Sequence, residues 1–374
     1  MNVKNGDRET IIPWFSKDLT NSIKGIAIIS MLLHHFFSFP EWWLNPYQFP
    51  IIASIADSIR APLAICVPVF AFLTGYTYCF QQRKNYRYSL HKIFNLLICY
   101  WVVFVILAIA SVITVHWQYS FLDVLKELLA IYRPTMVFCW YVNFYIILML
   151  ILPLISKFFG RFLFLDIVFI VAFPYILLRI VKFIPINWIQ QTLSSLASYL
   201  PCVLTGYLFA RHQWFQQIDV AYMRLIKRKW LDCIICVFLL LIAFAGRFIE
   251  PSITVVLPRL PIILDISLDV LYAPMLVFAV VRLCRDQLKT IPVLKKGLQT
   301  LGDLSLPMWF VHCIFFNNAK TFFQPLLYAP RNPVLVAVWG IGFTAGAAYF
   351  ILLLVKKLIQ GKDCLWNLLF AQRK

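Results

Sequence analysis

Asn21-Ser22-Ile23-Lys24-Gly25-Ile26-Ala27-Ile28-Ile29-Ser30-Met31-Leu32-Leu33-His34-His35 carries one cation near its start, two histidines at its end and mostly apolar residues between. Read as a helix, it turns by about 100° per residue, so the step from Lys24 to His35 amounts to about 1100°, roughly 20° past three full turns. The two side chains therefore share a face, with His35 about 16 Å farther along the axis. His34 points about 100° away from His35. An ionisable side chain at membrane depth is costly to keep there, which marks it as a functional candidate. The plainer alternative is a histidine hydrogen-bonded to a neighbouring helix.

The rest of the chain supplies the membrane. Hydrophobic residues make up 62% and charged residues 13% of the sequence, against about 25% charged in soluble domains. Stretches of about 20 apolar residues recur, the length that spans the hydrocarbon layer. They are apolar all round rather than alternating, which excludes a membrane barrel. The expected fold is an all-α integral membrane protein, a bundle of about ten transmembrane helices at 22–40, 61–80, 93–115, 137–156, 161–181, 193–210, 230–249, 264–284, 301–320 and 333–355. Residues 1–374 read as one domain: a cytoplasmic segment 1–21, the spans over 22–355, and a basic tail 356–374.

Charge sets the orientation. The side that holds residues 1–24 collects most of the 34 lysines and arginines, and the other keeps scattered ones such as Arg60, Lys126, Arg133 and Arg247. Cytoplasmic loops carry that excess, so both termini are expected inside. The net charge of +18 then reflects those loops and a lipid bilayer, with no nucleic-acid partner. Residues 121–133 fall outside and read as an amphipathic helix lying on the surface. Residues 1–20 carry Lys4, Asp7, Arg8, Glu9, Lys17 and Asp18, unlike a cleaved signal peptide. Cys233 and Cys236 have paired spacing but stand inside a span with no second pair, so packing is expected and no metal site.

Several residues fit chemistry. Neutral imidazole takes a proton from a hydroxyl, which makes His35 the candidate general base. Lys24, at the inner interface, suits a phosphate-bearing donor. The loop with Arg83, Lys84, Arg87 and Lys92 is dense in cations beside tyrosines, fit for a phosphorylated ligand or anionic headgroups. His34, Thr74, Tyr76, Trp140, Asn143, Ser305 and His312 are the polar or aromatic residues expected to line the site. Asp166 stands near Arg161, and Asp265 and Asp269 open the eighth span one turn apart. Soluble-enzyme motifs such as GxSxG, a P-loop or HExxH are absent from usable contexts.

The order of these motifs resembles acyltransferase family 3, the integral-membrane acyltransferases that modify cell-surface sugars. That family has a basic residue, ten residues and then histidine in its first helix, here Lys24 and His35. Lysine in place of arginine, within Asn21-Ser22-Ile23-Lys24-Gly25, is similar to the branch of fucose 4-O-acetylases. Phe70 to Tyr76 resembles the family's aromatic run ending Ser-Gly-Phe. Cys139-Trp140-Tyr141-Val142 with Leu150-Ile151-Leu152-Pro153, and Gly302-Asp303-Leu304-Ser305 before Trp309-Phe310-Val311-His312, resemble two later motifs. The paired arginines usual at the start of the third helix appear only as His91-Lys92 and Asn95.

The resemblance implies an O-acyltransferase, most often an acetyltransferase, of a bacterial plasma membrane. It implies acetyl-coenzyme A or another acyl-coenzyme A as donor substrate, a glycan hydroxyl as acceptor, and no bound cofactor. Lys24, Arg83, Lys84, Arg87 and Lys92 would meet the donor's phosphates. His35 would deprotonate the acceptor or be transiently acylated, and His312 would orient His35 or line the path. The rival reading is a transporter or flippase for a lipid-linked sugar, which would also use intramembrane histidine and aspartate.

Overall fold

The computed structural model describes residues 13–39, 53–82, 84–131, 133–256 and 268–371. Arg83, Asp265 and the start of the eighth expected span lie outside them. The described residues fold into helices and connecting turns, with no strand among them. We label the helices α1 (Lys17–Phe37), α2 (Ala53–Leu63), α3 (Cys66–Cys79), α4 (Tyr86–Val115), α5 (Phe121–Leu128), α6 (Tyr141–Ile155), α7 (Leu163–Val181) and α8 (Asn187–Arg211). Then follow α9 (Trp214–Leu225), α10 (Lys229–Val256), α11 (Asp269–Arg282), α12 (Pro292–Asp303), α13 (Ser305–Val311), α14 (Lys320–Tyr328) and α15 (Pro333–Ala371). Six segments among the described residues are long and apolar enough to cross a membrane: 58–79, α4, α7, α8, 229–249 and 333–363. Helix α6 and residues 305–315 are shorter apolar pieces.

Local chemistry fixes the helix ends. The Ser16 hydroxyl accepts from the Leu19 amide at 3.3 Å and starts α1, and Asn85 does the same for α4 through the Tyr88 amide at 3.0 Å. Such side-chain acceptors satisfy amides that have no partner within the helix. Two stretches expected as single spans carry a break in the helix, although the first, as 58–79, is still long and apolar enough to cross a membrane. Residues 61–80 part between α2 and α3, because Pro68 has no N–H to give Ala64. Residues 301–320 part after Asp303, where Pro307 likewise cannot donate one turn back, and then tighten into a 3₁₀ turn at His312–Phe315. The tenth expected span runs on to Ala371 as one helix of 39 residues, about 58 Å long, so much of the basic tail is helical.

Helix α1 is the hub, packed on α2, α3, α11, α12, α13 and α15. Two glycine pairs set its surroundings. A Cβ on Gly25 would stand 2.2 Å from the Leu298 carbonyl oxygen, and one on Gly302 would stand 1.9 Å from that of Asn21. The α3–α8 crossing repeats the device: a Cβ on Gly75 would run into the Val203 carbonyl oxygen, and one on Gly206 into that of Phe72. Small residues let helix backbones approach where lipid offers no hydrophobic drive. Outward faces carry apolar side chains, among them Phe164, Leu165, Val338 and Phe350.

Charges are knotted together at one place. Arg282 reaches Asp219 at 3.2 Å, Asp232 at 3.2 Å and Asp286 at 3.3 Å. Arg285 pairs with Asp219 at 3.6 Å and bonds the Trp14 carbonyl. Trp14 stacks between Phe215 and Phe278, at 4.9 and 5.3 Å between centroids. The chain entering α1 is thereby tied to α9, α10 and α11.

Residues 121–133 differ from a helix simply lying on the surface. Helix α5 exposes Phe121, Leu122 and Leu125, yet Glu127 is buried. Its Oε1 accepts from the amides of Thr135 and Met136 at 2.9 and 2.8 Å. Tyr100 and Trp101 of α4 donate to the carbonyls of Glu127 and Leu128. The segment is a strap over α4 that holds the chain leading into α6.

Candidate functional site

A cavity of about 560 Å³ runs inside the bundle along α1. Lys24 and His35 both line it, as a shared helix face requires, so it extends at least the roughly 16 Å between them. The Lys24 end is polar: Lys92 and Asn95 from α4, Asp303 from α12 and Thr77 from α3 join it. The His35 end is aromatic, walled by Phe138, Trp140, Tyr141, Tyr199 and Trp309. Volume and lining fit a small-molecule site, apolar with a few placed polar groups.

At the aromatic end the two deep histidines meet. The His35 and His312 rings stack, with centroids 4.7 Å apart and planes 8° from parallel. Phe138 stacks on His35 at 3.9 Å and 12°. The His312 Nδ1–H donates to the Trp309 carbonyl, so in the neutral ring its Nε2 is the bare nitrogen, buried and without a partner. The Nδ1 of His35 is buried and unpartnered too. Face-to-face rings do not form a hydrogen-bonded dyad. His312 and Phe138, whose own centroids are 5.5 Å apart, both pack against the His35 ring without sandwiching it, and together they fix its plane while its Nδ1 keeps no protein partner. His312 itself does not reach the cavity wall.

Phe138 owes its position to the strap. Glu127 pins the amides of Thr135 and Met136, three and two residues before the ring that covers His35. Burial pushes the Glu127 carboxyl up to about 7, although the two amides and Arg133 favour its charged form.

The expected residues separate into two groups. Lys24, Lys92, His34, His35, Thr74, Trp140 and Ser305 stand on the cavity wall. Thr74 and Ser305 donate their hydroxyls back to the carbonyls of Phe70 and Gly302, at 2.8 Å each. Lys84 sits over the Tyr207 ring, 5.3 Å from its centroid, and Arg87 is exposed, neither on the wall. Tyr76 faces away: its hydroxyl accepts from the Trp14 amide at 3.0 Å and its ring stacks on Phe15. Asn143 braces the strap, donating to the Ala130 carbonyl at 2.9 Å. Asp269 is ion-paired with Arg247, and Asp166 accepts from the Gly160 amide rather than from Arg161.

Sequence reasoning missed Tyr141, Tyr145, Asn95, Asp303 and Phe138. Tyr141 and Tyr145 are one turn apart on α6 and had a visible signal in that spacing. Phe138 had none, because its part depends on a ring stack across the bundle.

Lys24 has no ion pair or hydrogen bond among the described residues. The nearest acid on the wall, Asp303, takes a hydrogen bond of 2.6 Å from Asn21. Lys92 lies 5.5 Å from the Tyr88 ring centroid. Cations left without a carboxylate at a cavity mouth suit an incoming anion.

Residues 20–353 match the family described as Acyltransferase domain. The chain matches no curated protein and no solved structure. The family match supports a membrane acyltransferase and gives the transporter reading no support.

Proposed function

Because the chain belongs to acyltransferase family 3, we propose that it moves an acyl group, most simply acetyl, from acyl-coenzyme A to a hydroxyl of a cell-surface or lipid-linked glycan. The observation that carries this reading is the cavity lined by Lys24 and Lys92 at one end and by His34 and His35 at the other. A coenzyme A donor has that polarity. Its phosphates belong beside the lysines, and its pantetheine arm has a length comparable to the distance from Lys24 to His35.

The chemistry follows from the imidazole. His35 accepts the proton of the acceptor hydroxyl, the oxygen attacks the thioester carbonyl, the carbon–sulfur bond breaks, and the thiolate leaves to take up a proton. A general base of this kind contributes about 10² to 10⁴ in rate. The rigid stack with Phe138 and His312 keeps the imidazole aimed without tying up its Nδ1. The aromatic walls exclude water, which limits hydrolysis of the thioester.

In this reading about ten spans carry both termini on the cytoplasmic side of a bacterial plasma membrane, so the lysine end meets the cytoplasmic donor. The positive-inside distribution of lysine and arginine supports that orientation.

The test is acyl-coenzyme A consumption by the purified chain in lipid nanodiscs, with and without a hydroxyl-bearing glycan extract. Thiol release that depends on the glycan, with label recovered in the glycan, is the expected result. Donor binding with no transfer to any hydroxyl would overturn the reading. Single-turnover quenching also separates direct attack from an acyl-imidazole on His35, since only the latter leaves label on the protein.

A further inference from the structure

The C-terminal helix does more than end the bundle. Leu352, Val355 and Ile359 of α15 line the cavity. The next position on that stripe is Lys362, since steps of three, four and three residues stay within about one side of a helix. Its ammonium does not run into solvent. It donates to the Asn95 side-chain oxygen Oδ1 at 2.5 Å and lies 3.3 Å from the His91 Nδ1, and its side chain is only 17% exposed. Asn95 in turn lies 3.2 Å from the His91 ring through its amide nitrogen, and Asn95 itself is part of the cavity wall. Lys356 and Lys357, earlier on the same helix, are exposed.

We propose that Lys362 is a third cation of the donor site, held at the cavity mouth by Asn95 and His91 to take the terminal phosphate of the donor's nucleotide. The proposal rests on the coenzyme A reading above. Lys24 and Lys92 line the cavity and Lys362 joins them through the wall residue Asn95, and the carboxylates beside them among the described residues include Asp303 and Asp363. Asp303 is engaged by Asn21, and Asp363, 40% exposed as a side chain, turns its buried Oδ1 to Lys362 at 2.7 Å and to the His91 Nδ1 at 3.6 Å. A partly exposed acid is a weak partner that a phosphate dianion can displace. Lys362 follows Leu352, Val355 and Ile359, the α15 residues that line the cavity, at the end of their stripe, and the nucleotide's 3′-phosphate is the donor's phosphate farthest from the thioester. The α15 extension is thus joined to donor selection through one side chain.

The test compares acetyl-coenzyme A with 3′-dephospho-acetyl-coenzyme A on the full chain in nanodiscs, reading both Kd and the split between KM and kcat. The native chain is expected to prefer the phosphorylated donor. Lys362→Gln is expected to raise KM for it about tenfold, the size of one charge-assisted hydrogen bond, with kcat and the dephospho donor's KM unchanged. Lys362→Arg should keep the preference, and Asp363→Asn should tighten the phosphorylated donor about two- to threefold. Equal behaviour of Lys362→Gln and the native chain with both donors would overturn the proposal, as would an equal loss with both. A native chain that binds neither donor would instead overturn the coenzyme A reading itself, and this inference with it.

Discussion

Two groups of cations in this chain are built in opposite ways. Around Arg282, the guanidinium meets three aspartates within 3.3 Å, and Arg285 is shared between Asp219 and the Trp14 carbonyl. Around Lys24 and Lys92 the carboxylates are fewer, one already holds an asparagine, and the charges face an open cavity. The first group is closed on itself and ties the chain before α1 to α9, α10 and α11. The second leaves part of its charge unanswered. Buried charges are kept when they are satisfied, so an unsatisfied set beside a cavity points to a ligand that completes it.

The contrast breaks first at Arg282. Arg282→Ala leaves Asp232 and Asp286 without their cation and Asp219 with Arg285 alone, and removal of one partner from a buried pair costs about 3–5 kcal/mol. The variant is expected to lose most folded protein in a thermal-unfolding or detergent-stability assay. A variant with normal stability would remove the structural role given to the knot. Next come the glycine crossings. Gly206→Ala drives a Cβ into the Phe72 carbonyl, and overpacking of this kind costs about 1–3 kcal/mol; an unchanged melting temperature would show that α3 and α8 can separate freely.

Lys24→Gln sharpens the other side. It is expected to raise the donor KM about tenfold, near 1.4 kcal/mol, while the melting temperature stays close to native. A large loss of stability with normal donor affinity would reverse the contrast. Glu127 gives a smaller, pH-dependent effect. Its folded-state pKa is raised to about 7 by burial, above the ordinary carboxylate value, so the folded chain holds a proton that the unfolded chain releases. Its contribution to stability is full at about pH 4.5 and is lost as pH rises through about 7. Glu127→Gln should match the native chain at pH 5 and melt a few degrees higher at pH 8, and identical curves at both pH values would contradict the strap's energetics. Smallest of all, Arg87→Gln, which alters an exposed residue off the cavity wall, should change the donor KM by less than about twofold.

The sequence carried the parts of this arrangement that depend on one helix at a time. The 3.6-residue period alone puts Lys24 and His35 on one face, and apolar length alone marks the long spans. Thr74, Trp140 and Ser305 stand on the cavity wall, whereas Tyr76, two residues from Thr74, turns to Trp14 because a helix separates such positions by about 200°. What the sequence hides is pairing between distant elements. The ring stack of His35 on His312 and the reach of Lys362 to Asn95 each join residues more than two hundred positions apart, and the strap that seats Phe138 is tied back to Tyr100 and Trp101 on another helix. The broken ninth span was present in Pro307, but its apolar content concealed the break. Lys362 looked like one more solvated charge in a basic tail.

The most direct measurement is transfer of labelled acetyl to the surface glycan of cells that express the native chain or His35→Ala, with both proteins quantified in the membrane. The account predicts label with the native chain and a drop of at least about a hundredfold with the variant, the contribution of a positioned general base. Equal label at equal protein levels would contradict it and remove His35 from the chemistry.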